Sequence, residues 1–145
     1  MAVTVSRYNH TLKLWFNNEL NLSNLKIMLL DSNAAAFDAT DTDMTPYTGA
    51  SPDPEVFGNG WTEGGETLAN VTVAVIDTND ANLDADDVAV TATGGDIGPA
   101  RYAVIYDVTG DHPLWHYDFG QDETAGQDTD FRFVFNSDGI FKTTE

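Results

Sequence analysis

The chain of 145 residues contains no cysteine. This absence excludes disulfide bonds, cysteine nucleophiles and every zinc or iron–sulfur site that needs thiolate ligands. No long apolar run occurs near the N-terminus, so neither a signal peptide nor a membrane-spanning segment is expected. Residues 1–145 match the size of a single domain, which can bury roughly two thirds of the surface of its unfolded chain.

Positive charge is scarce as well. Six Lys and Arg residues stand against 24 Asp and Glu, which gives a formal net charge of -18 at pH 7. Nucleic-acid binding needs clustered cations that neutralise phosphates, and an anionic membrane would repel the chain. We therefore expect neither nucleic acid nor membrane as a partner. Most acidic residues lie in segments whose composition is typical of loops. The simplest explanation of the acidic excess is that it keeps the protein soluble. The alternatives are adaptation to saline water and docking onto a basic partner.

Short apolar segments rich in β-branched residues alternate with turns rich in Gly, Asn, Asp and Pro. Antiparallel sheets require this alternation, because side chains alternate faces and turns need permissive backbones. The pattern predicts a mainly β fold, an antiparallel β-sandwich or a barrel-like (jelly-roll-like) domain of about seven strands. The predicted strands are 25–30, 71–76, 88–93, 102–106, 114–119, 130–135 and 139–142.

One helix and one long loop complete the predicted architecture. In residues 6–20, apolar side chains recur at spacings of three and four, which predicts an N-terminal helix. The apolar positions are Tyr8, Leu12, Trp15, Phe16 and Leu20. Residues 34–60 contain several Pro and Gly and should form a long irregular loop, a type of segment that is usually functional, partner-bound or mobile.

Motifs for catalysis or cofactor binding are not found. The glycine-rich segments lack the Gly-Lys-Ser/Thr ending of a phosphate loop, and no serine lies in a Gly-x-Ser-x-Gly elbow. His112 and His116 are four residues apart, but Pro113 between them and the strand pattern favour ordinary histidines over metal ligands. We therefore predict no catalytic residues and no cofactor.

The acidic segment between residues 77 and 87 is the best candidate for a cation site, because closely spaced oxygen ligands suit calcium. It does not match an EF-hand, since Asn82 replaces the glycine at the sixth position and Val88 replaces the glutamate at the twelfth. An acidic hairpin connection is the main interpretation, and a different kind of calcium loop is the alternative. The candidate ligands are Asp77, Asp80, Asp84 and Asp86.

The aromatic residues are too numerous to be surface decoration, and most of them should form the core. In the segment 131–135, three Phe side chains share one face of the predicted strand. Trp61 and Trp115 are candidates for exposed interface aromatics, together with the N-terminal segment and the long loop. Arg101 is one of only six cations and should pair with an acid or a carbonyl, within the fold or across subunits.

Four segments resemble sequences of small structural proteins of tailed bacteriophages. They are Gly58-Asn-Gly-Trp-Thr-Glu-Gly-Gly-Glu-Thr-Leu68, Asp84-Ala-Asp-Asp-Val88, Gly98-Pro-Ala-Arg-Tyr-Ala-Val-Ile-Tyr106 and Asn136-Ser-Asp-Gly-Ile-Phe141. The resemblance extends over nearly the whole chain and is weakest at residues 34–56. Among such proteins, the chain is similar to capsid decoration (cement) proteins.

The resemblance implies a non-enzymatic virion protein that is made in the host cytoplasm and stabilises the outer surface of the capsid. Its partners would be the major capsid protein and further copies of itself, often in a trimer. A tail or fibre protein that binds a host surface is the first alternative. A small β-fold hydrolase that uses some of the carboxylates is the second, and it has no motif in its favour.

Overall fold

The computed structural model describes residues 3–76 and 78–143. These residues form eleven β-strands, one α-helix and one 3-10 helix. In chain order the elements are β1 (Thr4–Arg7), α1 (His10–Phe16), the 3-10 helix (Leu22–Asn24), β2 (Leu25–Leu30), β3 (Glu55–Val56), β4 (Glu66–Thr67), β5 (Thr72–Val75), β6 (Ala81–Asp84), β7 (Val88–Thr91), β8 (Ile97–Asp107), β9 (His112–Ala125), β10 (Asp130–Phe133) and β11 (Phe141–Lys142). The predicted mainly β fold is confirmed, as a sandwich-like domain and not a closed barrel.

The largest sheet has the order β1-β9-β8-β2-β3, and β4 also pairs with β2. All of its pairings are antiparallel; Ile27 lies opposite Ile105, and Val104 lies opposite His116. Both faces of its central strands are buried, so alternate side chains of β2 and β8 enter two different hydrophobic clusters. This explains why β2 is apolar along almost its whole length instead of alternating with polar residues.

Two smaller sheets, β10-β7 and β11-β6-β5, form the second layer of the sandwich. Their side chains join Trp115 and Tyr117 in the larger hydrophobic cluster. The ring of Tyr117 meets the ring of Phe133 edge-on, with centroids 4.9 Å apart. The prediction for residues 131–135 is confirmed, because Phe131, Phe133 and Phe135 are buried while Val134 is exposed.

The long loop covers the opposite face of the large sheet. Met44 and Tyr47 of this loop are fully buried and pack with Tyr8, Met28 and Val104 in the second hydrophobic cluster. The loop is irregular, as predicted, apart from the two residues of β3. The loop thus forms a third layer of the domain. Its many turn-forming residues predicted an irregular loop but not this buried position.

The helix is shorter than predicted. The expected helix at residues 6–20 is replaced by β1, which pairs with β9, followed by a seven-residue helix. The helix ends because Asn18 takes a left-handed backbone conformation (φ 57°) and Glu19 donates its backbone N–H to Leu14. Phe16, assigned to the apolar stripe, is 83% exposed.

The predicted strands are present, with altered ends. Strand β2 has the predicted bounds, whereas β8 and β9 extend well beyond theirs. Strands β1, β3, β4 and β6 were not predicted. The largest error concerns the acidic connection, in which Ala81–Asp84 form β6 between β5 and β11. Leu83 supplies the reason, since its fully buried side chain belongs to the core despite acidic neighbours in sequence.

Candidate interaction surface

An open groove of about 710 Å³ lies between the inner face of β1 and β9 and the strand β10. We call it the edge groove. Its lining is largely apolar and comes from three parts of the chain: residues 3–5, residues 117–125 and the segment 130–140. The residues that define it best are Val3, Val5, Tyr117, Phe119, Phe131 and Phe133.

Two edge strands border this groove. Within the described residues, β1 pairs only with β9, and β10 pairs only with β7. Val3 and Val5 lie along the first edge and are 49% and 50% exposed, and Val134 beside the second edge is 64% exposed. An edge strand presents backbone N–H and C=O groups to which another strand can bind. The edge groove therefore combines apolar contact area with backbone hydrogen-bonding groups.

Tyr117 is part of the groove lining and carries a buried polar atom. Its side chain lines the groove, yet the residue is only 5% exposed. Its buried hydroxyl has no hydrogen-bond partner among the described residues. Burial raises the pKa of this phenol well above its usual value, so the hydroxyl remains protonated at neutral pH. Because buried tyrosine hydroxyls are normally paired, the missing partner is a cost to the free chain.

Three charged residues border the groove. Asp130 accepts a hydrogen bond of 2.7 Å from the hydroxyl of Thr91, and Glu123 accepts one of 2.7 Å from Gln121. Arg132 is exposed and forms no ion pair within residues 3–76 and 78–143. The rim thus has two carboxyl groups whose hydrogen-bond donors are neutral side chains, and one guanidinium without an ion-pair partner among the described residues.

The two tryptophans predicted to be exposed are buried. Trp61 is 2% exposed and packs edge-on against Phe131, and Trp115 is 1% exposed and packs near Phe141. The expectation of exposed anchors at these positions was wrong, because both side chains point between the layers of the sandwich. Neither lines the edge groove.

The predicted pairing of Arg101 is confirmed within the fold. Its Nε donates a hydrogen bond of 2.9 Å to Oδ1 of Asp118. The same carboxylate oxygen accepts the backbone N–H of Gly120 at 2.8 Å, and both donors lower the pKa of Asp118. Both side chains are partly exposed, at 31% and 36%, so this is a surface ion pair of modest energy.

The calcium candidates have separate protein partners. Asp80 lies 3.6 Å from the Nζ of Lys142, Asp84 accepts the backbone N–H of Ala85, and Asp86 accepts a hydrogen bond from Asn70. Asp77 is outside the described residues. In the part of the chain that is described, no group of three or more His, Asp or Glu side chains is arranged to hold a metal ion.

The two histidines of β9 have different neighbours. His112 contacts the backbone oxygen of Thr42 at 3.0 Å, and its ring lies 5.3 Å from the ring of His10. His116 is buried among aromatic rings, with Phe37 and Tyr102 closest. Burial lowers the pKa of His116 to about 4, so this ring is neutral at physiological pH and packs as an apolar group.

Sequence reasoning included the N-terminal segment among interface candidates but missed the groove itself. The signal that could have found it is the alternation of Val3 and Val5 with polar residues, which is typical of a strand with one apolar face. No sequence pattern identified Tyr117, because the absence of a hydrogen-bond partner for its hydroxyl depends on the three-dimensional fold.

No helix in the described part of the chain is long and apolar enough to cross a membrane. Comparisons with protein-family models, with curated proteins and with solved structures found no match.

Proposed function

We propose that the chain is a non-enzymatic bacteriophage structural protein, a capsid decoration protein that oligomerises and binds the outer surface of the major capsid protein shell. The observation that carries this proposal is the edge groove, an apolar surface bordered by two edge strands on an otherwise well-packed domain. Such a surface suits the binding of another protein, since interfaces have an apolar centre and a polar rim. The four segments that resemble virion proteins direct the proposal to a capsid.

Charge supports a protein partner. With a net charge of -18, the chain is repelled by packaged DNA, and its charge opposes nonspecific aggregation before assembly. A decoration protein needs a stable body and a binding surface, and both are provided by the sandwich and its groove.

The experiment is binding of the purified chain to shells assembled from the major capsid protein of the virus that encodes it. We expect the chain to sediment with the shells, to saturate at a fixed ratio to the capsid subunit, and to appear on their outer surface by electron microscopy. A trimer in solution, measured by light scattering, would agree with the proposed oligomer. Density confined to the tail of the virion, with no binding to shells, would overturn the proposal in favour of a tail or fibre protein.

A further inference from the structure

We propose that the edge groove binds an extended segment of a partner protein, which adds as a strand alongside β1 and carries alternating apolar side chains and a net positive charge. This inference rests on the proposed function, in which the segment belongs to the capsid subunit. It goes further by naming the binding surface on this chain and the chemistry of the segment.

The backbone of β1 determines the binding mode. Because this strand is at the end of the large sheet, its outer edge can pair with an incoming strand. Val3 and Val5 lie two residues apart beside that edge and line the groove. Side chains two residues apart on a strand project from the same face, about 7 Å from each other. An incoming strand with apolar residues at every second position would therefore match them.

Tyr117 adds a directional contact. Val5 lies opposite Tyr117 in the register of β1 and β9. Both residues line the groove, so they are on the same face of the sheet. The tyrosine hydroxyl is buried without a partner, which is costly unless a bound group accepts its hydrogen bond. A bound segment that displaces the side chains around this hydroxyl and presents a backbone carbonyl to it would remove that cost.

Charge disfavours a second copy of this chain as the occupant. The groove is bordered by Glu123 and Asp130, and each copy carries a net charge of -18. Among the strands of the described residues, β5 is a second one with exposed apolar side chains, and it pairs with β6, which ends at the acidic residue Asp84. Inserting β5 of one copy into the groove of another would bring like charges together. A segment with a net positive charge is attracted to the same rim, and Arg132 can donate hydrogen bonds to a single carboxylate of that segment.

The probe is a fluorescein-labelled peptide of alternating Val and Lys, about nine residues long, added to the full chain. The comparison probe replaces every Lys with Glu. We expect fluorescence anisotropy to show at least about tenfold tighter binding of the Lys peptide at low salt. Hydrogen exchange should show new protection of the backbone amides of β1 and not of β5.

Two variants and one matched control distinguish binding through apolar contacts in the groove from binding through electrostatic attraction alone. Val5→Glu should weaken binding of the Lys peptide about tenfold, although its added carboxylate would strengthen a purely electrostatic attraction. Val75→Glu makes the same change at an 80% exposed position of β5 and should leave the affinity within about twofold. Tyr117→Phe should weaken binding about fivefold, because it removes only the hydroxyl. Circular dichroism and thermal unfolding of each variant confirm that the fold is intact.

Several results would overturn the inference. These are equal affinity for both peptides, equal loss in Val5→Glu and Val75→Glu, or protection away from β1. If Val5→Glu instead turns an oligomer of the free chain into monomers, the occupant is a second copy and the inference is wrong. Binding of Val5→Glu to capsid shells with wild-type affinity would reject the groove while the decoration function stands. Peptide binding without shell binding would reject the function and retain the groove.

Discussion

The hydroxyl groups of Tyr8 and Tyr47 share a hydrogen bond of 2.6 Å, which links the N-terminal segment to the long loop. Both residues are fully buried; Tyr47 belongs to the loop, and Tyr8 lies beneath it. Burial and the neighbouring phenol raise the pKa of Tyr8 far above its usual value, so both hydroxyls stay protonated. The pair is the only hydrogen bond between side chains that joins these two segments within residues 3–76 and 78–143.

Tyr47→Phe should lower the free energy of unfolding by about 1–3 kcal/mol, because it leaves the buried hydroxyl of Tyr8 without a partner. The double variant Tyr8→Phe/Tyr47→Phe should recover part of this loss, since it removes both polar groups. Urea unfolding of the two single variants and the double variant gives the coupling energy as a double-mutant cycle. Additive losses would show that the two hydroxyls do not interact.

Tyr117→Phe should have the opposite effect on the free chain. Its buried hydroxyl has no partner, so removing it should leave the free energy of unfolding unchanged or raise it by about 1 kcal/mol. Equilibrium unfolding in urea, without any peptide or partner, provides the measurement. A clear loss of stability would mean that the hydroxyl is hydrogen-bonded in the free protein and is not available to the groove.

His116 should make the fold sensitive to mild acid. Its pKa is lowered to about 4 by burial, whereas an exposed histidine has a pKa of about 6.5. The unfolded chain therefore binds the proton first, and the stabilisation is complete above pH 6.5 and is lost as pH falls toward 4. The expected loss at pH 5 is about 2 kcal/mol.

The carboxyl groups near His116 also titrate at low pH, so this test needs a reference variant. The negative charge of Asp118 raises the pKa of His116 and so offsets part of the effect of burial. The rings of Tyr47 and Tyr102 also lie near the ring of His116. His116→Phe keeps all of these groups. The difference in free energy of unfolding between wild type and this variant should fall between pH 6.5 and 5; a constant difference would contradict the prediction.

Gly60→Ala should be more destabilising than Gly58→Ala. Both glycines have a positive φ, 111° and 96°, so both substitutions strain the backbone. A Cβ on Gly60 would also lie 2.6 Å from the backbone oxygen of Thr91, whereas a Cβ on Gly58 would meet no atom within 4 Å. We expect about 1 kcal/mol for the strain and a further 1–3 kcal/mol for the clash. The difference in stability between the two variants, measured by thermal unfolding, gives the cost of the contact with Thr91. Equal losses of stability would show that the loop moves away from β7.

Local pattern was sufficient to predict the main strands and the buried phenylalanines. The buried face of residues 131–135 follows from the alternation of Phe with Arg132 and Val134, and β2 follows from an apolar run that ends in turn residues. Both features depend on neighbours in sequence. The same rule failed at β6, where only the contact of Leu83 with distant residues makes a strand of an acidic segment.

The candidate site depended on information that the sequence does not contain. The prediction for Trp61 and Trp115 used the frequency of tryptophan at interfaces, yet the direction of each side chain is set by its layer in the sandwich. The helix was too long because its apolar spacing did not reveal that β1 pairs with β9. Pairing between distant strands decides which edges stay open, and those edges define the groove.

The cover that the long loop provides limits how this protein can grow into a larger assembly. With Met44 and Tyr47 on one face of the large sheet and the small sheets on the other, neither face of its central strands is available for stacking. Among the described strands, this sheet can gain a strand only at an open edge, such as that of β1. Growth of the sheet itself would therefore widen it in its own plane and leave its two covered faces unchanged.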